Sequence, residues 1–96
     1  MVAYLLVVGS GAKVNLTIQS TRAVQRVFVI EDPSVVGWPT TDYTVFMPAA
    51  AATGIQKLAG TGYKFEGFGR HFANDVTIGA LKTISGTTTF QVTEEP

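Results

Sequence analysis

Val14-Asn15-Leu16-Thr17-Ile18-Gln19 alternates an apolar with a polar side chain at every step. Successive side chains of a strand point to opposite faces, so Val14, Leu16 and Ile18 share one face and Asn15, Thr17 and Gln19 the other. A helix would scatter the same residues around its axis. The stretch is a half-buried strand, and it sets the expectation for the rest of the chain.

Upstream, Val2-Ala3-Tyr4-Leu5-Leu6-Val7-Val8 is continuously apolar, which predicts a strand buried on both faces. Gly9-Ser10-Gly11-Ala12 is turn material, so the first two strands are expected to form a hairpin. Downstream, Ala23 to Ile30 ends in Val-Phe-Val-Ile and is read as a strand on its β-branching, although Val24, Val27 and Phe28 also fit a helical spacing. Tyr43 to Met47 predicts another strand. Pro48 followed by four alanines predicts one short helix near 48–59, because proline suits the first helical position and alanine has the highest propensity. Val76, Ile78 and Ala80 alternate with Thr77 and Gly79. Leu81 then breaks the alternation, which predicts cover on both faces there. Ser85-Gly86-Thr87 and an alternating 88–93 complete an expected C-terminal hairpin.

Composition agrees. Thr and Val together supply 25 of 96 residues, and both favour pleated, half-buried surfaces. The expected fold is mainly β: a small antiparallel sandwich or barrel of about six or seven short strands with one short helix, in a single domain over 1–96. Its expected core is Leu5, Val7, Val14, Leu16, Ile18, Val27, Val29, Val45, Ile78, Phe90 and Val92.

Only 15% of the residues are charged and the formal net charge is zero, against roughly 25% charged in ordinary soluble domains. A nucleic-acid partner is not expected, since phosphate recognition needs a positive field. The apolar start ends at Gly9 without a basic flank, too short for a leader or a membrane span, so no membrane partner is expected either. With no cysteine and one histidine, His71, no metal or cofactor site is expected. Glu31-Asp32 and Glu94-Glu95 are adjacent pairs. On a strand their side chains diverge, so neither makes an acid–base couple. His71 has no nucleophile or orienting carboxylate at a telling spacing. No catalytic residue is assigned, and the protein is not expected to be an enzyme.

Three local likenesses carry little. Gly9-Ser10-Gly11 lacks the third glycine and the following helix of a dinucleotide fingerprint. Gly67-Phe68-Gly69-Arg70-His71-Phe72 resembles the aromatic strand of an RNA-recognition motif, but Glu66 stands where a basic residue belongs. Tyr43-Thr44-Val45-Phe46-Met47-Pro48 resembles a segment of fasciclin-type adhesion domains. This chain is shorter than such a domain, and the likeness assigns nothing.

What remains is association. Few charges and Thr-rich strands predict a structural protein acting through contacts with other protein subunits, as a homo-oligomer or within a larger assembly. In composition the chain is similar to virion components such as phage capsid decoration or tail proteins, with the virion as its location if so. Contacts are expected where aromatics meet glycine-rich backbone: Val35, Val36 and Trp38 in one loop, and Tyr63, Phe65, Phe68, Arg70, His71 and Phe72 in another segment. The alternative is a small ligand- or glycan-binding β module that stacks its ligand on exposed aromatics such as Trp38, Tyr43 and Tyr63.

Overall fold

A computed structural model describes residues 2–32, 41–67 and 71–96. Eight strands run in chain order: β1 (Val2–Val8), β2 (Val14–Thr17), β3 (Arg26–Glu31), β4 (Tyr43–Phe46), β5 (Ile55–Lys57), β6 (Tyr63–Glu66), β7 (Thr77–Thr83) and β8 (Thr88–Glu95). They form two antiparallel sheets of four, ordered β1-β8-β3-β6 and β2-β7-β4-β5. The ladders nest: β1 with β8, β2 with β7, β3 with β6, and β4 with β5. Two further ladders, β3 with β8 and β4 with β7, roll that long ribbon into two layers. This is the strand order of a jelly roll.

The mainly-β expectation holds, and several finer ones do not. Among the described residues the sheets stay open rather than closing into a barrel, and eight strands are present rather than six or seven. Among the described residues there is no helix. The segment expected to be helical, 48–59, turns at Pro48 and then enters β5. Four alanines are too few to offset the cost of nucleating a helix, and the Thr53-Gly54 pair interrupts them. Tertiary contacts hold the alternative path. Lys13 Nζ donates to Ala49 O at 3.1 Å and to Ala51 O at 2.5 Å, and lies 4.0 Å over the Phe46 ring. Gly54 lets the chain close on β4, since a Cβ there would stand 2.3 Å from Val45 O.

Neither expected hairpin exists. β1 and β2 lie in different sheets, as do β7 and β8. Their turns are arches over the end of the sandwich, linked where the Thr83 amide donates to Gly9 O at 3.2 Å. Alternation marks which face of a strand is buried but not which strand lies beside it.

The core lies between the sheets. Leu16, Ile18, Val27, Val29, Val45, Ile78, Phe90 and Val92 are buried as expected, and Val14 is half-buried. Ala80 and Leu81 are both inaccessible, so β7 is covered on both faces there. β1 departs from expectation. It is not buried on both faces: Val2, Tyr4, Leu6 and Val8 face inward, while Leu5 and Val7 are 58% and 60% exposed. No element covers the outer face of the first sheet at β1 among the described residues, so its apolar run is split by the pleat.

Candidate interaction surface

The side chains expected to form contacts divide three ways. Val35, Val36, Trp38, Phe68 and Arg70 lie outside the described residues. Tyr63 is half-buried on β6, edge-on to Phe65 with centroids 4.9 Å apart, and Lys57 Nζ is 5.9 Å from its ring. His71 is exposed. Phe72 is half-buried and exchanges backbone hydrogen bonds with Val24 at 2.8 and 3.2 Å, so it ties its segment to the core. Phe65 is a correction: it is fully buried and offers no area to a partner. It sits at an inward position of β6, where the gap at Gly79 of the opposite sheet receives its ring.

Tyr43 is likewise unavailable as a stacking platform. It is fully buried, packs edge-to-face on Phe90 with centroids 4.8 Å apart, and donates its hydroxyl to Thr61 O at 2.6 Å. Burial, helped by the Glu31 carboxylate and opposed by the Thr61 side chain, pushes its phenol up to about 12. Tyr4 is raised to about 12 as well, by burial first and then by the charge of Glu94.

The carboxylates serve structure. Glu94 is buried and accepts from the Gln19 and Ser20 amides at 2.8 and 2.7 Å, which anchors the exit of β2 to the first sheet. Glu31 is also buried, accepting from the Gly60 amide at 3.1 Å and the Thr88 hydroxyl at 3.5 Å. Among the described residues, no three His, Cys, Asp or Glu side chains are grouped so as to hold a metal ion.

The surface that sequence reasoning missed is the outer face of β1 and its edge, which no strand pairs among the described residues. On the outward side of the first sheet, Leu5 is paired with Gln91, Gln91 with Ile30, and Ala3 with Thr93, which is paired with Phe28. Charge lies to the far side, on β3, β6 and the end of β8. There Arg26 Nε donates to Glu95 Oε1 at 2.7 Å, and Lys64 is 4.0 Å from Glu66. The β1 side carries none. Gln91 and Thr93 are the polar outward partners of Leu5 and Ala3, but only the pairing of β1 with β8 shows that they share a solvent-facing row.

The four sheet edges differ sharply. β6 carries Lys64 and Glu66. β2 has four residues with a register shift between Leu16 and Thr17. β5 has three residues and ends in Lys57. Short length, charge and bulges are the usual ways an edge is kept from pairing with another chain. β1 is seven residues long and has none of them: no charge, no proline, no bulge in its ladder with β8. No family model, no curated protein and no solved structure matches this chain.

Proposed function

We propose that this protein is a structural subunit that works through protein–protein contacts within a larger assembly, in the manner of a capsid decoration or tail component of a virion. The observation that carries the reading is the coincidence of exposed Leu5 and Val7 with an unguarded sheet edge. Apolar side chains exposed singly are ordinary, but an apolar face beside an open backbone edge marks a contact site. The low charged fraction supports it, because association there desolvates little charge. The jelly roll supports it by analogy only: capsid and lectin domains both use it, and a fold does not carry a function.

The ligand-binding alternative is weaker on one specific ground. Of its three stacking aromatics, Tyr43 is buried and Tyr63 is packed on Phe65. In the depression among Arg26, Phe28, Lys64, Thr93 and Glu95, the Nε–H of Arg26 is already donated to Glu95.

The test is the mass of the particle. The purified protein is sized by light scattering alone, and again after mixing with the products of the genes flanking its own. A mass above the 10.2 kDa of one chain is expected in at least one arm. A strictly monomeric protein that joins none of them, but whose Trp38 fluorescence is quenched by an oligosaccharide, would replace this reading with the ligand-binding one.

A further inference from the structure

We infer that the occupant of the β1 edge is a second copy of this chain. Two β1 strands pair antiparallel about a two-fold axis at Leu5, and the two β1-β8-β3-β6 sheets become one continuous sheet across the dimer. The inference rests on the assembly reading and specifies one contact within it.

The register follows from the strand itself. Antiparallel partners must keep inward side chains beside inward ones, and a slip of one residue would reverse every side chain. The pairing that overlaps all seven residues and satisfies this sets Leu5 against Leu5, Ala3 against Val7, Tyr4 against Leu6 and Val2 against Val8. A C2 contact is self-complementary by construction, and this strand meets that demand without a charged side chain on either copy. Like charges opposite one another would oppose the pairing, and none are present.

Burial points the same way. Val2, Tyr4 and Leu6 face the core yet are only half-buried, because the sandwich ends at β1. Across the two-fold, the partner's Tyr4 and Leu6 would cover what remains exposed. On the outer face the Leu5 and Val7 side chains of both copies would form one apolar strip. A seven-residue strand is about 23 Å long at ~3.3 Å per residue. A contact built on it falls at the small end of the scale, near or below ~1,200 Å². The dimer is therefore expected to dissociate in the micromolar range and to serve as one of several contacts in an assembly.

The experiment is sedimentation equilibrium of the full chain from low micromolar to millimolar concentration, with three variants. Leu5→Lys adds a gatekeeper at an exposed position, so the fold should survive, which its melting curve checks. It sets like charges across the axis and is expected to weaken the dimer by roughly tenfold or more. Leu5→Glu should do the same, and an equimolar mixture of the two should restore association, because the register places these positions together. Leu58→Lys, at a still more exposed site outside β1, should leave the dimer unchanged. Wild-type protein that remains monomeric at millimolar concentration overturns the inference. So does a dimer indifferent to Leu5→Lys, or a mixture that fails to recover. None of those results touches assembly with a different gene product, which the mixing experiment decides separately.

Discussion

The ring of Phe65 on β6 occupies the space that a side chain at Gly79 on β7 would need. A Cβ at position 79 would stand 2.7 Å from Phe65 Cε2 and 2.7 Å from Phe46 O. The first of these neighbours is a buried ring of the opposite sheet and the second the backbone of the adjacent strand, so the ring would have to repack and the strand to shift. The two sheets interlock here through a missing side chain.

Gly79→Ala is accordingly expected to destabilise the fold by about 1–3 kcal/mol, the usual range for overfilling a packed core. Urea denaturation measures it. The double variant Gly79→Ala with Phe65→Leu should recover part of the loss, and a Gly79→Ala protein as stable as wild type would mean the ring does not fill that gap.

The split of β1 by its pleat is tested with two leucines. Leu16→Ala removes a side chain that is 1% exposed and should cost ~2–5 kcal/mol. Leu5→Ala should stay within about 0.5 kcal/mol, as surface changes do, when measured at a concentration where the chain is monomeric. Equal losses at both positions would place Leu5 inward.

Glu94 anchors the end of β2 through two amides. Hydrogen bonds to a charged group contribute roughly 1.5–3 kcal/mol each, and their loss strands two N–H groups. Glu94→Ala should therefore lower stability by at least ~2 kcal/mol on that scale, with the Gln19 and Ser20 amides exchanging faster than the β3 amides. Glu94→Gln keeps an acceptor and should lose less.

Alkaline stability follows from the two raised tyrosines. In the unfolded chain a phenol releases its proton near 10.0, whereas Tyr4 and Tyr43 in the fold hold theirs to about 12. Between those values the native state binds protons that the unfolded state has lost, so stability falls with rising pH. The contribution is intact below about pH 10 and is lost as pH climbs toward about 12. Urea midpoints across that range should decline, and Tyr43→Phe should flatten the decline. A midpoint constant from pH 9 to 12 would contradict the burial of both phenols (the range being the one set by the two phenol values).

Much of the secondary structure was legible in local pattern. The alternation over 14–19 and 88–93 identifies β2 and β8 and their buried faces, because a period of two is a property of the strand alone. β1 was legible as a strand but not in its faces: with Val, Ala, Tyr and Leu at every position, polarity does not distinguish inside from outside. The outward row of Leu5 and Val7 was hidden for the same reason.

What the chain's own residues determined, then, is the class of most elements: β-branched and alternating segments become strands, whereas β5 lies in the stretch expected to be helical and β6 lies inside a glycine-rich one. Tertiary structure alone decided the rest. Whether Gly9–Ala12 closes a hairpin or an arch depends on the strand that captures β1, and β8, at the other end of the chain, does so over all seven of its residues. Whether Ala49–Ala52 becomes helix depends on Lys13 and on the room left at Gly54. Whether Phe65 faces a partner or the core depends on a glycine 14 positions further on, in the other sheet. Local propensities are worth a few tenths of a kcal/mol to about 1 kcal/mol per residue. Pairing and packing between distant segments outweigh them, and those contacts are not written in any one stretch of sequence.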